Sequence, residues 1–189
     1  MFRAGGEPMS GIATGMISLL EKGFREKSFE SKDSIVRIGQ KGSYLFEWRS
    51  GDVHVKGELL DHDNIGVMLS YVVIEKDRQE EREATTYLKD VAEAIEKRIN
   101  YLMEPLRIVE IDSTSNAVQI RSENPEVAER EVSYFEIVLR SGKWFGGRDH
   151  VSMHRYAHRP EEETNRRSIG FPLTKQQFER LLNDLIEAL

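Results

Sequence analysis

Three histidines recur at four-residue spacing, His150, His154 and His158. On a helix this spacing would set all three on one face, about 6 Å apart per step, and a zinc ion could gather them. On a strand they still share a face, but each step spans about 13 Å, which no single metal bridges. Val151, Met153 and Ala157 alternate with them, which is strand patterning. The histidines are therefore expected on a polar strand surface facing solvent or a partner, and no metal is expected.

A second constellation gathers cations and rings. Residues 140–167 carry seven basic side chains, Arg140, Lys143, Arg148, Arg155, Arg159, Arg166 and Arg167, against four acidic ones, Asp149, Glu161, Glu162 and Glu163. The segment thus holds a formal +3, which leaves −9 on the rest of a chain whose total is −6. Trp144, Phe145 and Tyr156 are interleaved with these charges. Single-stranded nucleic acid needs that combination, because bases stack on rings while phosphates meet arginines. Arg140, Lys143, Trp144, Arg148, Arg155, Tyr156 and Arg159 are accordingly the candidate residues for binding a nucleic acid or a protein partner. The plain alternative is that the rings cap the core and the charges solvate a loop.

Other chemistry is thinner. Gly142, Gly146, Gly147 and Arg148 have a phosphate-loop flavour, but no Gly-Lys-Ser/Thr ending follows and no helix is expected after them. The carboxylate pairs Asp61/Asp63, with His62 between, and Glu110/Asp112 could do acid–base work or hold a cation. The same residues before a glycine or a polar run are also turn formers, and that reading is preferred. There is no Gly-x-Ser-x-Gly elbow and no His-Glu-x-x-His pair. No catalytic residue is named, and no cofactor is expected.

Composition narrows the class. Hydrophobic residues make up 39% and charged residues 32% of 189, the profile of a globular chain. The absence of cysteine excludes disulfides, thiolate zinc sites, iron–sulfur clusters and thiol catalysis, and fits a cytoplasmic protein. No apolar run approaches the roughly 18 residues of a membrane span. The acidic total weighs against a dedicated nucleic-acid binder. Residues 1–9 read as a loose arm, without signal-peptide character, and Met9 or Met16 would serve as alternative starts.

The elements that must position these residues follow from periodicity. Ile12, Met16, Leu19, Leu20 and Phe24 predict a first helix to about Lys27. A four-stranded meander is expected over 34–38, 43–48, 53–60 and 67–75, the last buried on both faces. Asp77 as N-cap with Glu80 predicts a second helix running to about Met103, stopped by Pro105. Strands follow over 106–112, 117–122, 131–140 and 150–158. Thr174 with Gln177 then forms a capping box that opens a final helix striped by Phe178, Leu181, Leu182, Leu185 and Leu189.

The expected fold is α+β: an N-terminal helix, then two antiparallel four-strand-plus-helix units sharing a core. Residues 10–189 form one domain, with pseudo-repeat halves over 34–103 and 106–189. In element order the chain resembles the Whirly and PUR single-strand-binding folds. That resemblance implies single-stranded nucleic-acid binding through 140–167. The leading expectation is instead a non-catalytic binding protein that recognises another protein and self-associates as a homodimer, without a membrane. An enzyme or ligand-binding cleft near His54, His62 or the 150–158 histidines is the third reading.

Overall fold

The computed structural model describes residues 10–78, 82–128, 130–142, 146–162 and 165–189, and of 10–13 only the backbone. The arm over 1–9, Glu80, Lys143 and Trp144 lie outside the described residues. Helix α1 spans Ser10–Glu26 and leads into strands β1 (Phe29–Glu30), β2 (Ser34–Ile38), β3 (Tyr44–Ser50), β4 (Val53–His62) and β5 (Gly66–Asp77). Helix α2 (Ala84–Arg98) is followed by β6 (Leu106–Asp112), β7 (Ala117–Ser122), β8 (Glu126–Ala128), β9 (Glu131–Arg140) and β10 (Arg148–His158). The short strands β11 (Arg167–Ile169) and β12 (Phe171–Thr174) run into helix α3, Lys175–Ala188.

The chain is a mixture of helix and antiparallel sheet, with three helices and twelve strands among the described residues. The expected pair of repeated four-strand-plus-helix units does not describe it. A single sheet runs in the order β1-β2-β3-β4-β5-β10-β9-β7-β6, with β8, β11 and β12 joined to its flanks. The seam between its halves is β5 against β10, with Ile74 opposite Val151 and Val72 opposite Met153. Downstream of β10, β12 pairs with the first residues of β5, Phe171 opposite Leu69 and Leu173 opposite Val67. These pairings join residues too far apart in sequence for local periodicity to reveal them.

The local reasons for the elements are plain. Alternation puts Tyr44, Phe46 and Trp48 of β3, and Val53, Val55 and Leu59 of β4, on the face that meets the helices. Apolar spacing does the same for Met16 and Leu20 of α1 and for Phe178, Leu181, Leu182 and Leu185 of α3. Each fully buried leucine or phenylalanine contributes about 1.5–3 kcal/mol of transfer free energy. Helix α1 packs on β1 to β3 and on α3, while α2 covers β6, β7 and β9. Close approach of α1 to β2 depends on Gly23, where a methyl group would sit 2.6 Å from the Val36 side chain.

Thr174 caps α3 as expected: its hydroxyl accepts the Gln177 N–H, and the Gln177 side chain accepts the Thr174 N–H. Helix α2 starts later than its sequence suggests. Asp77 is still strand, opposite Arg148, and the true cap is Glu83. The Glu83 carboxylate accepts the Thr85 and Thr86 N–H groups at 2.9 and 2.7 Å, which hold its pKa down to about 2. The helix ends at Arg98 rather than near Met103. No described helix is long and apolar enough to cross a membrane.

Candidate functional site

All three helices share one core on one face of the sheet, which leaves the other face uncovered. On β10, Val151, Met153 and Ala157 are at most 1% exposed and point under the helices. The alternate residues His150, Ser152, His154, Tyr156 and His158 therefore stand on the uncovered side, the strand placement their spacing suggests. Register then builds a row of rings. Tyr71 of β5 lies directly opposite His154, and Tyr134 of β9 directly opposite Tyr156. His154 stacks between Tyr71 and Tyr156, with both centroid separations 5.6 Å and planes 17° and 19° from parallel. Tyr134 continues the row, 6.1 Å from Tyr156 and 5.9 Å from His158.

Ionic groups flank the row on both sides. Glu136 of β9 is 4% exposed and receives the Gln119 amide at 2.6 Å, Arg121 at 2.9 Å and Arg166 at 2.7 Å. Arg166 lies 4.2 Å over the Tyr156 ring and Arg121 5.2 Å over Tyr134. Towards β3, the buried His54 is held at both ring nitrogens, by Glu47 at 2.9 Å and Glu75 at 3.2 Å. Lys56 donates to Glu75 at 2.6 Å. With both nitrogens engaged, His54 has none turned to a substrate, so the network holds a side chain in place rather than preparing a general base.

Burial lowers the pKa of His154, with Glu136 opposing and Arg166 assisting. Burial also lowers that of His150, opposed by Glu75 and assisted by Lys56 and Arg140. In both cases burial biases the imidazole towards its neutral form. Among the described residues no cluster of three or more histidines and carboxylates is arranged to hold a metal.

The sequence-derived candidates do not converge on one surface. Arg140, Arg148 and Tyr156 reach the uncovered face. Arg148 is paired with Asp77 at 2.8 Å and Glu75 at 3.7 Å, and it donates to the Asp52 carbonyl. Arg155 turns to the helix side, bound by Glu104 at 2.5 Å, Glu126 at 2.7 Å and the Ser133 hydroxyl at 3.0 Å. Its guanidinium lies 4.5 Å over Phe135. Arg159 is exposed just beyond β10.

Of the paired carboxylates, Asp63 and Asp112 are turn formers, while Asp61 and Glu110 belong to strands. Asp63 accepts the Ile65 and Gly66 N–H groups, which lower its pKa. Asp112 accepts the Ser115 hydroxyl and the N–H groups of Ser115 and Thr114, with the same effect. His62 stacks on Phe24 at 3.5 Å.

A concavity that sequence reasoning missed opens where the β4–β5 turn, the chain after α2 and β12 meet. It encloses about 510 Å³ and is walled by Met68, Leu102, Phe135, Phe171 and Leu173, with Arg155 also lining it. Ile65 and Met103 stand at its lips, 74% and 99% exposed, beside Asp61 and Asp63. Met103 carried a signal: it falls beyond the helical stripe, directly before Glu104 and Pro105, where a core role is hard to assign. No family model, no curated protein and no solved structure matches the chain.

Proposed function

We propose that this chain is a non-catalytic binding protein that recognises another polypeptide through the apolar cleft between segments 61–68 and 101–103. The observation that carries this is the pair of lips. Ile65 and Met103 project into solvent beside a cavity whose walls are already apolar. Burying two such side chains against a partner is worth about 1.5–3 kcal/mol each. Arg155 is engaged by Glu104 and Glu126, so it offers little to an anionic small ligand. Asp61 and Asp63 at the rim, with Glu126 exposed nearby, favour a partner segment whose apolar anchors are flanked by Lys or Arg.

Nucleic acid fits less well. Arg121, Arg148, Arg155 and Arg166 each already face at least one carboxylate. A polyphosphate laid on the uncovered face would also meet Glu47, Glu75, Glu110 and Glu136.

Selection of random peptides on the folded protein tests the proposal. Peptides with apolar anchors and basic flanks should be enriched on the unaltered chain and lost on Ile65→Asp and Met103→Asp. Thermal melts of both variants should be unchanged, since both positions are exposed. Enrichment that survives both substitutions removes the cleft from the account. A second copy of this chain is the other occupant of these lips, and sedimentation over a concentration series identifies it if the same two substitutions abolish a dimer.

A further inference from the structure

The uncovered face carries a separate feature that the partner cleft does not use. Arg166 belongs to no strand; it lies between the short 3-10 turn Pro160–Glu162 and β11. From there its guanidinium reaches onto the sheet, stacks 4.2 Å over Tyr156, donates to the buried Glu136 at 2.7 Å and approaches the Tyr134 hydroxyl at 3.4 Å. A flat ring beneath and a carboxylate at the edge are what a planar, forked cation needs, and a compact ammonium gains less from them. We propose that this cradle is a binding site for the guanidinium group of an arginine side chain from a second molecule, and that Arg166 fills it as an internal stand-in.

Three observations support exchange at this position. Glu136 keeps the Gln119 amide and Arg121 when Arg166 withdraws, so its buried charge is never left without a partner. The Arg166 side chain is still 37% exposed, which gives it a route outward. Beside it lies an open cavity of about 400 Å³ that includes Ser152, His154 and Gln119, where Glu110, Asp112 and Glu136 outnumber Arg140 and Arg166. Once Arg166 withdraws, these three carboxylates outnumber Arg140 and the neighbouring Arg121, so an entering cation meets an excess of negative charge. Arg121 shows that the carboxylate accepts two guanidinium groups together, since it repeats the same arrangement over Tyr134.

Calorimetric or NMR titration of the full chain tests the inference, with Nα-acetyl-arginine amide standing for arginine in a polypeptide and free L-arginine for the small molecule. Arg166→Ala should bind the tighter of the two probes about ten-fold or more tightly than the unaltered chain, because the internal competitor is gone. The lysine counterpart should bind it at least about ten-fold more weakly. Adding Tyr156→Leu to Arg166→Ala should erase the preference for arginine over lysine. If alanine compromises folding, Arg166→Gln vacates the ring while keeping a hydrogen bond to Glu136. Preference for the blocked amide identifies a polypeptide source and preference for free arginine a small molecule; either supports the site. Equal affinity in the vacated variant and the unaltered chain, or equal affinity for lysine and arginine, overturns it. The outcome is independent of the peptide-cleft proposal, which concerns the opposite face.

Discussion

Tyr71 and His154 face each other across the β5–β10 seam, ring centroids 5.6 Å apart and planes within 17° of parallel. The contact ties the two halves of the sheet together on the side no helix covers. It also makes His154 a half-buried imidazole in a row of phenols, with Glu136 and Arg166 its charged neighbours.

That setting predicts a pH dependence. The folded state holds the pKa of His154 below the ordinary value near 6.5, so the unfolded chain takes up the proton first. Stability is fully present above about pH 6.5 and falls as pH drops through the window beneath it. His154→Phe keeps the stack and removes the proton site, so melts between about pH 7 and pH 5 should show a shallower loss than the unaltered chain. An identical slope would show that His154 contributes nothing to it.

The second prediction concerns the final helix. Leu182 is fully buried in the core that α3 shares with β5 and α1. Leu182→Ala should cost about 2–5 kcal/mol in chemical denaturation. An unchanged midpoint would mean that α3 is peripheral.

Gly23 should be intolerant for a different reason. An added methyl at 2.6 Å from Val36 forces α1 off β2, and Gly23→Ala should destabilise by about 1–3 kcal/mol. Pairing it with Val36→Ala should recover part of that loss. Strict additivity of the two substitutions would mean that the contact is not the cause.

Arg155 is the fourth test, because its placement separates two roles. If it serves the core side, Arg155→Ala leaves Glu104, 6% exposed, without its cation and should cost about 3–5 kcal/mol. Arg159→Ala, at an exposed position, should leave the melt within about 0.5 kcal/mol. Equal melts for the two variants would contradict the placement of Arg155.

Much of this was legible locally. The bounds of β9 and the capping box of α3 follow from alternation and from Thr174 with Gln177, since both are decided by near neighbours. The side taken by Arg155 was legible too: it shares parity with Val151, Met153 and Ala157 and so had to leave the surface of Tyr156. Its charge alone groups it with residues that stand on the other face. The cap at Asp77 failed because strand pairing with Arg148 competes with helix initiation, and that partner lies far along the chain. The row Tyr71–His154–Tyr156 was hidden for the same reason, as register across the seam is a tertiary property. The cleft needed three distant segments to meet before Ile65 and Met103 acquired a common purpose.

The seam also sets a timetable. One edge of β5 is taken by β4, and the other is shared end to end by β12 against Gly66–Leu69 and by β10 against residues 71–77. Both of those partners are synthesised more than a third of the chain later than the strand they complete. While the chain emerges, the first meander therefore waits with Val72 and Ile74 on an open hydrogen-bonding edge, the most adhesive surface a nascent sheet can offer. A growing chain of this kind is safest when translation through β10 and β12 is quick or when something else holds that edge in the meantime.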